Sequence, residues 1–344
     1  MPLSDFIRKM PKVELHVHLE GSIRPETLLA LAERNQIELP ATSIEELREW
    51  YKFIDFPHFA EIYFTSAKCL RTPDDIELIT REFLSGQAAQ NIVHSEVTYT
   101  AYTQYEIHGI PFDDQLAAIN RARKWGEDEF GITMSLTIDY PRHLDPQGAL
   151  LSADWAIHGM GNGVTAFGLG GPEVDHPPEK FRAAFNRAHA AGLPCVPHAG
   201  ETVGPESIWG ALNLLHSVRI GHGVRCIEDP ALVDVLRERQ IPLEVCPTSN
   251  ICLKVYDSMA AHSLPQLVDE GLYVTINSDD PPMFNTTLTD EFIAIADAFG
   301  YDVAQLQTFS LNALRASFSP DEKKQQLENR FRNEFADLEN KYLV

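Results

Sequence analysis

The stretch Val13-Glu14-Leu15-His16-Val17-His18-Leu19 places two histidines two positions apart in a short apolar run of strand-like composition. Side chains two positions apart on a strand point to the same face, so both imidazoles can face one cation. A solvated or purely structural histidine pair is an equally good interpretation of this stretch by itself. The interpretation as a metal site therefore depends on what the rest of the chain supplies.

Further polar clusters follow later apolar runs, and each contains residues that bind metals or transfer protons. They are His198-Ala199-Gly200-Glu201, Gly221-His222-Gly223 and Ser278-Asp279-Asp280-Pro281. Together with the first pair they supply three imidazoles and a carboxylate for a divalent ion, plus a spare acid, a spare base and a second carboxylate. This combination predicts a metal-dependent active site.

Eight short apolar segments alternate with amphipathic ones, which predicts a parallel sheet covered by helices. The predicted strands are Lys12–His18, Ile92–Tyr99, Ile132–Asp139, Val164–Gly168, Pro194–His198, Val218–Gly221, Pro242–Val245 and Tyr273–Asn277. The intervening helical patterns include Glu179–Ala191, Pro205–Leu215, Pro230–Arg239 and Leu264–Glu270.

Eight such units predict an α/β fold of the (β/α)₈ TIM-barrel type. The alternative is a doubly wound open sheet. The polar clusters favour the barrel, because they fall at the carboxyl ends of strands, where barrel active sites assemble. A doubly wound fold would more naturally carry a glycine-rich phosphate loop, and Gly168-Leu169-Gly170-Gly171 lacks the required spacing.

Two segments exceed a minimal barrel within the single predicted domain, residues 1–344. Residues 24–90 predict a helical insertion after the first strand, with an aromatic-rich stretch from Tyr51 to Phe59. We expect it to form a lid above the barrel mouth that excludes water; a small satellite core is the alternative. Residues 289–344 predict extra C-terminal helices, and the charged segment Asp321–Asn333 predicts a solvated face.

The composition limits the partners and the compartment. The chain has 28 basic and 50 acidic residues, a formal net charge of -22, which disfavours nucleic-acid polymers and anionic membranes as partners. No run approaches the roughly 20 apolar residues of a membrane span, and residues 1–11 lack the long apolar segment of a signal peptide, so none is expected before the first strand. The five cysteines contain no CxxC pair and predict buried thiols in a reducing compartment, so a cytoplasmic location is expected.

Six motifs together resemble the adenosine/adenine deaminase branch of the amidohydrolase superfamily, including bacterial 6-aminodeoxyfutalosine deaminases. In order, they are VELHVHLEGS, FGLGGPE, PHAGE, RIGHG, CPTSN and NSDDP. The resemblance implies one zinc ion held by His16, His18, His198 and Asp279. Residues 167–173 contain no lysine that could bridge two metals, which favours a single ion, although iron is also compatible with these ligand types.

The resemblance also implies hydrolytic deamination of a small 6-aminopurine. Zinc lowers the pKa of a bound water to about 7, so hydroxide is available to attack C6. Glu201 is then the expected general acid and base, which passes the proton of the water to N1. His222 is expected to orient and support the attacking hydroxide. Alternative interpretations make Glu201 a partner of a surface cation and His222 a turn residue between two glycines.

Four residues are expected at the substrate by the same resemblance. Asp280 is expected to hydrogen-bond purine N7, because adjacent residues on a strand cannot both face the metal, although it could instead cap a turn before Pro281. The backbone N–H of Gly171 is expected at N3, and the ligand His18 is also expected beside the substrate. Adenosine deaminases typically carry aspartate near the ribose 5′-hydroxyl where this chain has Glu20.

This departure leaves the substrate open. Adenosine-type nucleosides are placed first, with 6-aminodeoxyfutalosine and adenine as alternatives. Another metal-dependent hydrolase on the same scaffold and a non-catalytic binding protein are the remaining functional classes. A non-catalytic binding protein is disfavoured because none of the expected metal ligands is missing and Glu201 is present. The oligomeric state is left open.

Overall fold

The computed structural model describes residues 2–53 and 56–342 of the chain. Eight parallel strands are hydrogen-bonded to one another in chain order, from the first to the eighth. The strands are β1 (Lys12–His18), β2 (Ile92–Tyr99), β3 (Thr133–Ile138), β4 (Val164–Leu169), β5 (Cys195–Ala199), β6 (Ile220–His222), β7 (Leu243–Val245) and β8 (Val274–Ile276). The predicted (β/α)₈ barrel of the α/β class is confirmed, and each predicted strand overlaps an observed one.

The ring closes between its last and first strands through residues that follow β8. The Asp279 N–H donates to the His16 carbonyl at 3.1 Å, and the Asp279 carbonyl accepts from the His18 N–H at 2.9 Å. The Asn277 side chain accepts from the Leu15 and His16 N–H groups at 2.9 and 3.1 Å. The seam of the barrel is therefore built from the same short segments that carry the predicted metal ligands.

Helices surround the barrel, and several begin where the sequence indicates. Pro205 and Pro230 occupy first-turn positions, where the missing N–H of proline costs no helical hydrogen bond. In the described ranges the helices are α1 (Pro2–Lys9), α2 (Pro25–Asn35), α3 (Ile44–Trp50), α4 (Phe56–Lys68), α5 (Pro73–Ala89), α6 (Ala101–His108), α7 (Phe112–Phe130), α8 (Pro146–His158), α9 (Arg182–Ala190), α10 (Pro205–Leu214), α11 (Pro230–Arg239), α12 (Pro247–Cys252), α13 (Leu264–Asp269), α14 (Leu288–Phe299), α15 (Val303–Ala316) and α16 (Asp321–Tyr342).

Two helices of the insertion after β1 occupy different positions in the fold. α5 packs against α7 and β2, so it is the helix of the ring that connects the first strand to the second. α4 packs against α6 and against the short turn after β1, which brings it to the barrel mouth. The expectation that residues 24–90 as a whole sit above the mouth is therefore too broad. Ile54 and Asp55 of the predicted aromatic stretch lie outside the described residues.

The C-terminal helices complete the ring and extend beyond it. α15 packs against β1 and β8, and α16 packs against α1 and α15. The charged α16 is longer than predicted, and it buries Phe331 and Phe335 while leaving most of its charged side chains toward solvent. Leu343 and Val344 lie outside the described residues. Within the described ranges, no helix combines the length and apolar character required to cross a membrane.

The barrel interior contains a chain of buried charges. Arg219, 2% exposed, contacts Glu96 at 2.6 Å through one guanidinium nitrogen and Glu244 at 2.6 Å through another. Burial alone would raise the pKa of Glu96, but the charge of Arg219, together with His94 and the Phe318 N–H, outweighs burial and lowers the pKa to about 2. Because Glu244 also contacts His16, this chain connects the barrel core to the mouth.

Replacing Arg219 should destabilise the protein strongly, because Arg219→Met leaves two carboxylates buried without their shared cation. We expect a loss of about 3–5 kcal/mol in the free energy of unfolding, measured by urea denaturation. The exposed pair Arg315–Glu328 is the control, and Arg315→Met should cost less than about 1 kcal/mol. Equal losses for the two variants would contradict this account of the interior.

Candidate active site and metal centre

The four predicted metal ligands converge at the carboxyl-terminal mouth of the barrel. His16 and His18 lie on β1, His198 lies on β5, and Asp279 follows β8. All four are buried, and their potential ligand atoms lie within 4.8 Å of one another. Residues separated by up to 263 positions in the chain therefore form one cluster, because the ring brings the strand ends together.

The separations within this cluster fit a tetrahedral ion. His18 Nε2 lies 3.2 Å from His198 Nε2, and Asp279 Oδ1 lies 3.4 Å from both His16 Nε2 and His18 Nε2. Four ligands at the usual zinc distances of about 2.0–2.1 Å would be about 3.3 Å apart in a tetrahedron. His16 Nε2 is buried without a hydrogen-bond partner, as expected of an atom positioned for an ion. The residues present therefore fit one divalent metal.

A second group of potential ligands overlaps the first. His222, Cys246 and Asp279 also bring their ligand atoms within 4.8 Å. However, burial raises the pKa of the Cys246 thiol well above its usual range, which disfavours the thiolate that a metal requires. Of the two groups, only the first provides four donors, from His16, His18, His198 and Asp279.

Glu244 orients the first histidine. Its Oε2 accepts a hydrogen bond from His16 Nδ1 at 2.9 Å, which directs Nε2 toward the cluster. Metal-binding histidines commonly donate their second N–H to a carboxylate in this way. Glu244 is itself held by Arg219, so the orientation of His16 depends on the buried charges of the barrel interior.

Two of the predicted site residues adopt a backbone conformation that is uncommon for residues other than glycine. His222 has φ +61° and Asp279 has φ +64°, both in the left-handed region. Such conformations persist where the surrounding structure enforces them, and they concentrate at functional sites. Asp279 and Asp280 both lie beyond β8, so the turn, rather than strand alternation as expected, directs their side chains to different surroundings.

The loop after β5 carries Glu201 and is held by another carboxylate, Glu173. The Oε2 atom of Glu173 accepts the backbone N–H groups of residues 201, 202 and 203 at 3.0, 2.7 and 2.8 Å. Its Oε1 atom accepts the Gly200 N–H at 2.8 Å and the Ser207 hydroxyl at 2.7 Å. One buried side chain therefore fixes the backbone that positions Glu201.

Glu201 and His222 lie beside the ligand cluster. His222 Nε2 is 3.8 Å from Glu201 Oε1 and 3.8 Å from Asp279 Oδ2. Burial, reinforced by the charges of Asp279 and Glu173, raises the pKa of the Glu201 carboxyl well above its usual range. Burial also lowers the pKa of His222 to about 3, so its imidazole is neutral near neutral pH.

Asp280 and Gly171 line the same cavity as the ligand cluster. Asp280 is 2% exposed, and burial together with the charge of Asp279 raises its pKa well above the usual range. Its carboxylate lies so close to Gly21 that a Cβ there would fall 1.6 Å from Asp280 Oδ1. Gly171 has φ +88°, a conformation that itself favours glycine.

Glu20, in contrast, does not line this cavity. Its Oε1 accepts the Thr100 N–H at 3.0 Å, and burial and the charge of Asp139 raise its pKa to about 7. Thr100 and Asp139 line the cavity instead, with the Thr100 hydroxyl donating to Asp139 Oδ1 at 2.7 Å. The sequence analysis included Asp139 only as the end of a strand; its position at a strand carboxyl end was the signal that could have identified it.

The cavity has a volume of about 200 Å³, and α4 provides one wall. Phe59, Tyr63 and Phe64 of this helix line it, and the Tyr63 ring packs edge-on to His18 with centroids 6.2 Å apart. Phe59 also stacks on Phe284 at 5.6 Å. The aromatic residues of the insertion therefore face the site as well as one another.

Comparison with known proteins is consistent with this geometry. The sequence profile of the family described as adenosine deaminase matches residues 11–334. An adenine deaminase from Crocosphaera subtropica is 41% identical over 325 residues, which is 94% of this chain and 99% of that protein. The crystal structure of an adenine deaminase from Arthrobacter aurescens superimposes with a TM-score of 0.90 at 36% identity, covering 94% of this chain and 98% of that one.

A further solved structure, an amidohydrolase from Burkholderia ambifaria with bound Zn, superimposes with a TM-score of 0.93 at 29% identity and covers 99% of this chain and 94% of that one. The fold and the buried histidine–aspartate cluster define a metal-dependent hydrolase of the amidohydrolase superfamily. Within it, the chain belongs to the adenosine deaminase family, as the motifs predict, and it is a hydrolytic deaminase.

Glu173→Gln should reduce catalysis without removing metal. The amide has one acceptor oxygen where the carboxylate has two, so the loop bearing Glu201 loses part of its support. We expect kcat for deamination to fall by about 10- to 100-fold, the scale of a small displacement of a catalytic group. Metal content, measured by atomic absorption, should stay at the level of the unmodified protein. An unchanged kcat would contradict the positioning role of Glu173.

Proposed function

We propose that this protein deaminates adenine, releasing ammonia and the 6-oxopurine, with one zinc ion in its active site. The relatives named adenine deaminase, which align over nearly the whole chain, support the free base as substrate. The sequence analysis placed adenosine-type nucleosides first and adenine among the alternatives. The comparisons favour reversing that order.

His16, His18, His198 and Asp279 would hold the metal, as their mutual distances support. A divalent ion there would lower the pKa of a water molecule, so that a nucleophile is available at neutral pH. Glu244 keeps the Nε2 atom of His16 directed toward the ion, and Asn277 holds the backbone of β1 against the segment after β8.

Glu201 transfers protons between the attacking water and the purine. Its carboxyl group lines the same cavity as His18, His198 and Asp279, and its burial favours a protonated form that can donate to purine N1. Protonation at N1 accommodates the electron pair displaced when C6 is attacked and leaves Glu201 as a carboxylate. This carboxylate can take one proton of the attacking water and pass it to the amino group, which leaves as ammonia, and the second proton of the water restores the protonated carboxyl. His222, neutral and 3.8 Å from Glu201, orients the attacking water by hydrogen bonding.

The base is held at its edges by buried polar groups. Asp280, whose carboxyl is neutral when its pKa is raised by burial, can donate a hydrogen bond to N7. The Gly171 N–H can donate to N3, and His18 lies beside the bound base. The aromatic side chains of α4 would close over the cavity as a lid and exclude water.

Asp139 gives a physical reason for selecting the base over the nucleoside. Its Oδ1 accepts the Thr100 hydroxyl, and its Oδ2 lies next to Gly170, 2.8 Å from where a Cβ would project. Asp139 therefore lies next to the Gly170–Gly171 backbone, which is proposed to bind purine N3. On a purine, N9 is close to N3, so a base bound in this way would bring N9 close to Asp139. Free adenine carries a proton at N9 that a carboxyl oxygen of Asp139 can accept in a hydrogen bond, whereas in adenosine the sugar occupies that position.

Metal and proton transfer can be separated by two variants. Glu201→Gln should retain the metal and lose turnover by at least about 100-fold, because the amide cannot transfer the proton. His16→Ala should lose both metal and turnover. Ammonia release and metal content measured on the same preparations test this, with a chelator-treated sample as the reference. Full activity in Glu201→Gln would refute the proton-transfer role.

The substrate can be identified with an ammonia-release assay on adenine, adenosine and 6-aminodeoxyfutalosine. We expect the highest kcat/KM for adenine. Asp139→Ala should reduce kcat/KM for adenine by about 10- to 100-fold and leave any activity with adenosine much less affected, because only the base offers N9–H. A preference of the unmodified enzyme for adenosine would refute the proposed substrate, and an equal loss on both substrates would refute the role of Asp139.

A further inference from the structure

A second cavity, of about 400 Å³, opens at the opposite end of the barrel from the metal cluster. The first residues of β3 and their neighbours on β2 and β4 form its base, including Thr133 and Ser135. α7 contributes Arg123 to its wall, and the first turn of α16 contributes Lys323. None of its lining residues lines the cavity that contains the metal ligands.

The lining of this cavity has the opposite charge to the protein as a whole. Arg123, Lys124 and Lys323 contribute three positive charges and Glu127 one negative charge, whereas the chain carries a formal net charge of -22. Lys124 is engaged at the surface by Asp128 at 2.8 Å. Among the ion pairs of residues 2–53 and 56–342, none includes Arg123 or Lys323, so these two cations lack a direct carboxylate partner.

The two cations are held in position by neutral groups. The Arg123 Nε–H donates to the Met134 carbonyl at 2.6 Å, and a second guanidinium nitrogen contacts the Asn120 side chain. Lys323 Nζ donates to Thr133 Oγ1 at 3.2 Å. Burial lowers the pKa of both Arg123 and Lys323 from their usual values, the consequence of charges placed where water is restricted without full compensation.

An unsatisfied hydroxyl lies in the same cavity. Ser135 is 6% exposed, and its Oγ has no hydrogen-bond partner. Buried hydroxyls are usually hydrogen-bonded, so this hydroxyl is available as a donor to a ligand that enters the cavity. A ligand that accepts from Ser135 and carries negative charge would satisfy the hydroxyl and compensate the two cations together.

We propose that this cavity is a binding site for a phosphate group, as free phosphate or as a phosphate monoester. Arg123 and Lys323 supply the charge, and Ser135 supplies a hydroxyl donor. Oxyanions are bound most strongly where charged donors are fixed before the ligand arrives, as the contacts of Arg123 with Met134 and Asn120 provide. The site is independent of deamination, because its residues are separate from those at the metal cluster.

The test is calorimetric titration of the metal-loaded protein with inorganic phosphate, glycerol phosphate and acetate. Inorganic phosphate and glycerol phosphate should both bind more tightly than acetate; the tighter of the two identifies the free ion or the monoester. Lys323→Gln, at a partly buried position near the start of α16, should weaken phosphate binding by about tenfold, the scale of one charged hydrogen bond. Arg123→Gln should weaken it at least as much.

Arg187→Gln removes an equal charge at an exposed pair with Asp154 and should leave phosphate affinity unchanged. Because phosphate can also bind a metal, the titration is repeated on His16→Ala, which should bind phosphate with unchanged affinity. Absence of phosphate binding, equal affinity in Lys323→Gln and the unmodified protein, or loss of binding in His16→Ala would each overturn the proposal.

Discussion

The structure depends on the seam where β8 meets β1. There the backbone of Asp279 forms hydrogen bonds on both sides of the His16–His18 segment, and Asn277 caps the same strand with its side chain. The contacts that close the barrel therefore also set the distance between three of the four proposed ligands. Asp279 adopts a left-handed conformation to do so, a local cost that the hydrogen bonds of the seam offset.

Buried charge is the second constraint, and it is met by pairing. Arg219 lies between Glu96 and Glu244, and Glu244 contacts His16. Glu173 accepts hydrogen bonds from the backbone N–H groups of the loop that carries Glu201. These contacts lie inside the barrel, so the residues of the candidate site are held in place without relying on flexible surface contacts. Asp280 and Glu201 are different, because burial and the neighbouring carboxylate of Asp279 leave both of their carboxyl groups, which line the same cavity, with raised pKa values.

The residues that sequence analysis missed share one property, which is that their importance arises from contacts distant in the chain. Glu173 acts on a loop about 28 positions away, and Asp139 contacts Thr100 across two neighbouring strands. Glu20, expected at the substrate, instead supports Thr100 from behind the cavity wall. The insertion was recognised as helical, but the division between a ring helix, α5, and a helix at the mouth, α4, depends on packing that periodicity does not contain.

By itself, the sequence determined the eight strands, the barrel and the presence of several candidate ligands at the strand ends. The resemblance to a known family implied which of these candidates hold the metal, namely His16, His18, His198 and Asp279. Hydrophobic periodicity and the position of polar residues at strand ends are local properties, and the barrel brings all the strand carboxyl ends to one face. Only the tertiary structure decided which carboxylates support that site and which residues line its cavity. It also decided that cationic side chains line a second cavity at the opposite end of the barrel. Those outcomes depend on side-chain directions and distances between strands, which arise only when the ring closes.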